Sequence, residues 1–231
     1  MADSAAFQII AHIHTDFPTK FGIPRQSGLI DALQAVIVFT PAYRNPDALR
    51  GLDGYSHLWL LWQFSEAIRH TWSPTVRPPR LGGNVRMGVF ATRSPFRPNP
   101  IGLSSVRLDH MEQHPMLGTI LHVRGADLMD GTPIYDIKPY LPFTDSHPHA
   151  TAGFADATGG DRLSVVCPQE YLTVLPETQR DALLSVLAGD PRPSYQDDPE
   201  RIYGFFFADT EIHFSVAGRI LRVHEIKKRS L

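Results

Sequence analysis

The chain has 231 residues, of which 42% are hydrophobic and 20% are charged, and its formal net charge is -2. This composition is typical of a folded globular protein and excludes an intrinsically disordered chain. The longest uncharged apolar run, residues 55–64, is about half of the ~20 residues needed to cross a bilayer, which excludes a transmembrane protein.

The cysteine content and the N-terminal segment indicate the cellular compartment. Cys167 is the single cysteine, so the chain forms no internal disulfide and no thiolate zinc site. Its position between Val166 and Pro168 favours an inert, buried thiol. No basic residue precedes Lys20, and histidines interrupt the N-terminal apolar stretch, which is unlike a signal peptide. We therefore expect a reduced, cytoplasmic protein.

Short apolar segments separated by proline and glycine follow one another through the first 145 residues. The chain contains 20 prolines and 17 glycines, which leaves little room for long helices. We predict a short helix over residues 43–51 and a loop over residues 74–83. The predicted strands are residues 7–14, 35–40, 55–64, 87–92, 103–111, 118–128 and 135–139. This pattern indicates a mainly β domain, either a sandwich or a barrel.

The remaining residues predict a linker and a small α+β subdomain. Residues 146–161 are rich in alanine, glycine, histidine and threonine and show no apolar periodicity. Residues 169–188 have helical spacing of leucines, although Pro176 should delay or kink the helix. Three strands should follow, over residues 202–208, 210–216 and 219–226. The predicted division is a β domain over residues 1–145, a linker over 146–165 and a C-terminal subdomain over 166–231.

Positive charge is concentrated in one block. Residues 67–108 contain seven arginines and no aspartate or glutamate, so the block carries +7 while the rest of the chain carries -9. The planar guanidinium group suits two-point contact with carboxylates and phosphates and stacking on bases. The block therefore predicts an anionic ligand, and the alternative is that individual arginines hold loops together through internal hydrogen bonds.

Several familiar motifs are missing. No Gly-x-Gly-x-x-Gly follows a strand, no phosphate-binding loop with Lys-Ser/Thr occurs, and no Gly-x-Ser-x-Gly motif marks a hydrolase nucleophile. The pairs His12/His14 and His147/His149 have no third ligand at a known spacing. A Rossmann enzyme, a serine hydrolase and a metal site are therefore not predicted.

Three loop sequences combine stiff residues with hydrogen-bonding or charged groups: residues 23–26, 88–103 and 127–133. Rigid loops with fixed polar groups are how a β scaffold forms a small-molecule pocket, because ordered groups lose less entropy on binding. The alternative is that these are only tight connections. Arg93 and Arg97 on either side of Phe96 favour binding, since a simple turn does not need two guanidinium groups.

Six segments together carry a resemblance to a known family. They are residues 53–61, 77–83, 88–102, 127–133, 136–142 and 190–193, with the sequence Gly-Val-Phe-Ala-Thr-Arg-Ser-Pro-Phe-Arg-Pro-Asn-Pro-Ile-Gly over 88–102. The chain resembles the TsaA-like family of tRNA (N6-threonylcarbamoyladenosine(37)-N6)-methyltransferases, also called TrmO, from about Phe7 to the C-terminal strands. The 15-residue block is far more specific than any short motif.

The resemblance implies an S-adenosylmethionine-dependent enzyme that is built on a β-barrel, works as a homodimer and needs no metal. Its substrate would be N6 of threonylcarbamoyladenosine next to the anticodon of a threonine tRNA. The implied cofactor-binding residues are Pro24, Arg25, Gln26, Ser65, Glu66, Arg93, Leu103, Asp127, Leu128, Asp130, Gly131 and Thr132. Ser65 and Glu66 stand where close relatives are expected to have His-Gln.

The cofactor chemistry fits these residue types. S-adenosylmethionine carries a carboxylate, an ammonium group and a sulfonium group. Arg25 or Arg93 would pair with its carboxylate, Asp127 or Asp130 with its ammonium group, and loop backbone with its adenine. The acylated acceptor nitrogen is a poor nucleophile, so a base would help, and His57 and Asp130 are the candidates.

The surplus arginines would contact the anticodon stem-loop of the tRNA. The RNA-binding candidates are Arg77, Arg80, Arg86 and Arg97, and the C-terminal residues 227–229 extend the basic surface. Two other functions stay open at this stage. One is a non-catalytic S-adenosylmethionine or nucleotide sensor that binds a protein partner, and the other is a methyltransferase acting on a small anionic metabolite.

Overall fold

The computed structural model describes residues 6–69, 71–78, 81–158, 162–192 and 198–229. The strands are β1 (Ala11–Thr15), β2 (Gln34–Phe39), β3 (His57–Gln63), β4 (Thr75–Val76), β5 (Met87–Gly88), β6 (Ile101–His114), β7 (Gly118–Arg124), β8 (Thr132–Pro139), β9 (Ser164–Val166), β10 (Tyr203–Phe207), β11 (Thr210–Ala217) and β12 (Ile220–Lys228). The α-helices are α1 (Pro142–Asp145), α2 (Gln169–Leu172) and α3 (Glu177–Ala188). The mainly β prediction is confirmed.

Six strands close into an antiparallel barrel in the order β1-β2-β7-β6-β3-β8. Alternate residues of each strand point inward, as the two-residue period of a strand requires. In β3 the inward side chains are Leu58, Leu60 and Trp62. They pack in the barrel core with inward residues of the other strands, such as Ile13 and Ile37. The closed ring of six strands confirms the predicted barrel. Closure also leaves this sheet without exposed edges.

The C-terminal sheet has four strands in the order β10-β11-β12-β9. The three predicted antiparallel strands are present, and the hairpin between β11 and β12 turns at Gly218, which has a positive φ of 58°. The fourth strand, β9, was not predicted. It pairs in parallel with β12 through Leu221 and Val165, a contact between distant parts of the sequence that no local pattern signals.

The predicted interruption of the C-terminal helix occurs where Pro176 lies. α2 ends at Leu172, and α3 begins at Glu177 directly after the proline. Proline has no N–H group and clashes with the preceding turn, so one continuous helix cannot pass through it. Leu172 of α2 and Leu183 and Leu187 of α3 are buried in the core that includes the C-terminal sheet, and Leu184 is partly buried there.

Two local predictions were wrong. Residues 43–51 do not form an α-helix but short 3-10 turns, of which Pro46–Leu49 is capped by the Asn45 side chain. Residues 87–92 form only the two-residue strand β5, followed by a 3-10 turn over Val89–Ala91. In the first case Asn45 and Pro46 start the turn, but Gly51, with a φ of 84°, follows too soon for an α-helix to extend.

The segment between β1 and β2 belongs to the C-terminal core. Phe17, Ile30 and Leu33 are buried among residues of α2, α3 and the C-terminal sheet. A Cβ atom added at Gly22 would lie 2.5 Å from the ring of Phe205, so the two parts pack closely. The division into residues 1–145, 146–165 and 166–231 stays a prediction. The segment between β1 and β2 belongs to the first part by sequence, but its side chains pack in the core of the third part.

Candidate active site

A cavity of about 730 Å³ opens where β3 ends and β6 begins. The end of β3 supplies Trp62 and Gln63, and the start of β6 supplies Ile101 to Leu103. The three loop sequences that combine stiff and polar residues complete the wall. They contribute Pro24, Arg25 and Gln26, then Thr92, Arg93, Pro95, Phe96 and Arg97, and finally Asp127, Met129 and Thr132. These loops are far apart in the sequence, and the barrel brings them to one place.

A hydrogen-bonded chain of side chains holds the only aspartate among the described residues that line this cavity. Trp62 Nε1 donates to Ser104 Oγ over 3.0 Å, and Ser104 Oγ donates to Asp127 Oδ1 over 2.5 Å. Trp62 reaches Ser104 because Gly102 has no side chain. A Cβ atom at Gly102 would lie 2.2 Å from the Trp62 ring. These two hydrogen bonds fix the Asp127 carboxylate at the cavity wall.

The surroundings of Asp127 shift its acid strength. Burial raises the pKa of the Asp127 carboxyl, because a charged carboxylate is poorly solvated there. The hydrogen bond from Ser104 and the positive charge of Arg93 act in the opposite direction. A partly buried carboxylate that gains a cationic partner on ligand binding is a good receptor for an ammonium group.

Arginine side chains also line the cavity, and the charge of Arg93 acts directly on Asp127. The Arg93 guanidinium donates a hydrogen bond to Gln26 Oε1, and Gln26 Nε2 donates to the carbonyl oxygen of Arg25 over 2.5 Å. The guanidinium of Arg69 stacks on the Phe96 ring, with 3.8 Å between its central carbon and the ring centroid. The site therefore combines guanidinium groups with the Asp127 carboxylate and a second carboxylate, Glu66, on one cavity wall.

A second cavity of about 1330 Å³ adjoins the first and shares several residues with it. Its described lining includes six arginines and no aspartate or glutamate: Arg25, Arg69, Arg77, Arg86, Arg93 and Arg97. Two exposed aromatic side chains, Trp72 and Phe90, lie side by side there, with 6.1 Å between ring centroids and 32° between the ring planes. Residues 151–155 of the predicted linker close one side. This cavity suits a large polyanion with aromatic groups.

Most of the implied cofactor-binding residues lie on the first cavity. Those that line it are Pro24, Arg25, Gln26, Ser65, Glu66, Arg93, Leu103, Asp127 and Thr132. Leu128 is instead buried in the barrel core. The Gly131 N–H donates to the carbonyl of Ile13, and Asp130 Oδ1 lies 3.2 Å from His14 Nδ1, so neither residue lines either cavity.

The two candidate bases lie away from both cavities. His57 is exposed at the start of β3, where its Nδ1 lies 3.0 Å from Ser56 Oγ. Trp62 is five positions further along β3, which is roughly 16 Å of extended strand. Asp130 has the partner described above. Because neither residue lines a cavity, we assign neither of them a role in methyl transfer.

The RNA-binding candidates have different surroundings. Arg77 and Arg86 line the second cavity, and Arg86 Nη1 lies 3.5 Å from Thr75 Oγ1. Arg97 donates to the carbonyl of Thr92 over 2.6 Å, so it also holds its own loop together. This is the structural role that the sequence offered as the alternative to ligand binding for individual arginines. Arg80 lies outside the described residues. Arg107, the last arginine of the block, lies on neither cavity and pairs with Asp31 over 3.0 Å.

Sequence reasoning missed the aromatic part of the site. Trp62, Phe64, Phe96, Trp72 and Phe90 line one or both cavities. Trp62 and Phe64 lie in the apolar run that predicted a core strand. The signal that could have separated them from the core is the change at the end of β3 from apolar residues to Gln63, Ser65 and Glu66.

No helix among the described residues is long and apolar enough to cross a membrane.

Comparisons with known proteins agree with this architecture. The chain is 41% identical, over 98% of its length and 99% of the relative's, to the tRNA (adenine(37)-N6)-methyltransferase of Escherichia coli. It is 40% identical, over 89% of its length and 90% of the relative's, to a putative S-adenosylmethionine-dependent methyltransferase, RcsF, of Pseudomonas aeruginosa.

A solved structure and two family models cover nearly the whole chain. The crystal structure of TrmO from Pseudomonas aeruginosa superimposes with a TM-score of 0.79 at 33% identity, covering 99% of both chains. The model of the tRNA-methyltransferase O N-terminal domain matches residues 12–146. The model of the TrmO C-terminal domain matches residues 162–229. The chain therefore belongs to the tRNA-methyltransferase O family.

Proposed function

We propose that this protein transfers the methyl group of S-adenosylmethionine to N6 of threonylcarbamoyladenosine 37 in a threonine tRNA. Membership of the family supports the enzyme class and the adenosine at position 37. The observation that supports the assignment to these residues is the first cavity, which is lined by the Asp127 carboxylate together with Arg25 and Arg93 and shares residues with an arginine-lined second cavity.

The cavity fits S-adenosylmethionine in volume and in chemistry. Its volume of about 730 Å³ lies in the usual range for small-molecule sites. Asp127 would accept hydrogen bonds from the ammonium group, and Arg93 would pair with the carboxylate. Phe64 and Phe96 offer apolar surface for the adenine ring. When bound, the cofactor supplies an electrophilic methyl group on a positively charged sulfur.

The protein's own contribution is positioning. Methyl transfer is an in-line displacement that needs the acceptor nitrogen ~3 to 3.5 Å from the methyl carbon. The Trp62–Ser104–Asp127 chain and the Arg93–Gln26 contact hold the binding groups in place before the ligand arrives. Fixed groups of this kind reduce the entropy lost on binding and align the reactants.

The second cavity would receive the anticodon loop. Arg77 and Arg86 would contact phosphates, and the exposed neighbouring rings of Trp72 and Phe90 offer a surface on which an unpaired base can stack. The proposal includes a homodimer and, because the substrate is a tRNA, a cytoplasmic location. The threonylcarbamoyl group and the choice of threonine tRNA are its most specific parts.

A methyl-transfer assay tests the proposal. We expect the wild type to methylate an anticodon stem-loop that carries threonylcarbamoyladenosine and to leave the unmodified stem-loop nearly unmethylated. Arg93→Ala should lose most of the activity. Arg50→Ala, which removes an arginine with a 79% exposed side chain outside both cavities, should keep it.

Other outcomes of the assay identify the competing functions. Binding of S-adenosylmethionine without methyl transfer to either stem-loop would support a non-catalytic sensor. Turnover of cofactor on a small anionic metabolite in the absence of RNA would support the metabolite methyltransferase. Equal methylation of the modified and unmodified stem-loops would reject the threonylcarbamoyl requirement while keeping the tRNA assignment.

A further inference from the structure

The outer face of the β6–β7 hairpin brings two histidines and a glutamate together. His110 and His122 are directly opposite in the register of β6 and β7, and their rings stack with centroids 4.1 Å apart. Glu112 is two residues beyond His110, on the same face of β6. Its Oε2 lies 2.8 Å from His122 Nε2. One potential ligand atom from each residue lies within 4.8 Å of those of the other two.

We propose that His110, Glu112 and His122 bind one divalent transition-metal ion, and that zinc is the ion they fit best. Two imidazoles and one carboxylate, with a further position open to water, form an established type of zinc ligand set. Bonds of about 2.0 to 2.2 Å to one tetrahedral ion place the donor atoms roughly 3.3 to 3.5 Å apart. The stacked rings direct their nitrogen lone pairs in nearly parallel planes, so at least one imidazole must turn about its Cβ–Cγ bond before both can bind one ion. The side chains of His110 and Glu112 are about half exposed, which leaves room for that turn without moving the strands.

The second layer of contacts supports this assignment. His110 Nδ1 lies 2.9 Å from Asp109 Oδ2, and Asp109 Oδ1 accepts a hydrogen bond from Arg124 Nε over 2.7 Å. A carboxylate on one ring nitrogen fixes the orientation and tautomer of a histidine ligand and makes its other nitrogen a stronger donor. The Nε2 atom of His110 is therefore the one prepared to bind the ion.

Other histidines among the described residues do not form such a group. His213 lies between two glutamates, but its two ring nitrogens contact different carboxylates, Glu211 over 3.0 Å and Glu225 over 3.1 Å, so those groups do not converge on one point. His14 pairs with Asp130. The cluster was invisible to spacing rules because its ligands come from two strands and meet only through the register of the hairpin.

The site is separate from the cofactor cavity. Leu103 lines that cavity, and His110 is seven residues further along β6, which is roughly 23 Å of extended strand. The ion would connect β6 and β7 across the hairpin rather than take part in methyl transfer. Because it binds the folded hairpin, zinc should also raise the melting temperature of the protein.

Calorimetric titration of the untagged, chelator-stripped protein with zinc chloride tests the site. We expect one ion per chain, and about 100-fold weaker binding by His110→Gln and His122→Gln. Asp109→Asn, which alters only the second layer, should weaken binding by about 10- to 100-fold. The matched control is His224→Gln, an exposed strand histidine whose Nε2 contacts Ser215 Oγ, and it should bind zinc as the wild type does.

Two results would overturn the proposal: no saturable zinc binding by the wild type, or equal affinity of the wild type and the His110→Gln variant. NMR of the histidine rings in the wild type gives a readout that does not depend on any variant folding. The ring signals of His110 and His122 should shift together on addition of one equivalent of zinc. A shift of the His213 or His14 signals instead would place the ion elsewhere.

Discussion

Asp127 illustrates how a single residue is prepared for its ligand at a cost to the fold. Its carboxylate is held by Ser104, which is itself held by Trp62. Burial raises the pKa of the Asp127 carboxyl, so the charged form is less stable there than in water. A ligand ammonium group would relieve that cost. A desolvation cost of this kind is common where a binding site loses stability in exchange for affinity.

The Asp127→Asn variant separates these two effects. We expect its affinity for S-adenosylmethionine to fall by at least about tenfold, because the ion pair is lost, and its stability at neutral pH to match or exceed that of the wild type. Calorimetric titration and thermal unfolding measure the two quantities. Asp47→Asn, an exposed aspartate outside the cavity, serves as the control for both.

The pH dependence of binding follows from the same raised pKa. Only the deprotonated Asp127 pairs with an ammonium group, so affinity should decrease as the pH falls through the pKa of Asp127, at a higher pH than for an ordinary aspartate. Titrations from neutral pH down to the ordinary aspartate range near about pH 4 should show this decrease in the wild type and a flat profile in Asp127→Asn. The same decrease in both proteins would assign it to another group.

Gly102 is required by the packing of Trp62 and not by an unusual backbone angle. A Cβ atom at this position would lie 2.2 Å from the indole, which must then move away from Ser104. We expect Gly102→Ala to destabilise the protein by about 1 to 3 kcal/mol and to weaken cofactor binding. Urea unfolding and calorimetry measure both effects. Gly54→Ala, where nothing lies within 4 Å of the added atom, should change neither.

At the scale of elements, the sequence predicted what depends on local pattern. Short continuous apolar runs located β2 and β3, and Pro176 located the break before α3, because these signals act within a few residues. β9 was missed because its partner β12 is more than 50 residues away. The loops of the site were predicted as rigid and polar, but their meeting at one end of the barrel depends on closure.

The junction between β1 and α3 contains a carboxyl group that opposes folding at neutral pH. Burial raises the pKa of Asp16 to about 6, although Gln179 Nε2 donates a hydrogen bond to its Oδ1 over 2.8 Å. The nearby carboxylates of Asp209 and Asp130 raise this pKa further. Since the carboxyl titrates near 3.8 when unperturbed, the native state binds more protons than the unfolded state between pH 3.8 and about 6. The stabilisation from the protonated form is complete below that window and is lost as the pH rises through about 6.

Asp16→Asn should therefore stabilise the protein at about pH 7.5 by about 1 to 2 kcal/mol, discounted for partial solvent exposure. Asparagine keeps an oxygen that can accept the hydrogen bond from Gln179 and carries no charge to desolvate. Urea unfolding at about pH 7.5 and about pH 5 measures the difference, which should be smaller at the lower pH. A stabilisation that grows on acidification would contradict the assigned direction of the pKa shift.

Over the whole molecule, positive charge is concentrated in one region, whereas the packing contacts join distant parts of the sequence. The net charge is only -2, yet the arginines of residues 67–108 gather mainly at the two adjoining cavities, while the compensating acidic residues lie elsewhere in the chain. The packing, by contrast, joins the two ends of the chain, since Phe17 and Leu33 lie in the C-terminal core. A positive surface on a nearly neutral protein directs an anionic partner to one face.

The salt dependence of tRNA binding tests whether this face is the RNA-binding surface. Each arginine that contacts a phosphate contributes about 1 to the slope of log affinity against log salt, because its contact releases a counterion. Replacing both Arg77 and Arg86 by alanine should therefore weaken binding and reduce the slope by about 2. The control replaces Arg50 and Arg222, two exposed arginines that do not line the second cavity, and should leave the slope unchanged. An equal loss of slope in both double variants would mean that net charge, and not the position of the arginines beside the cofactor cavity, determines how the tRNA binds.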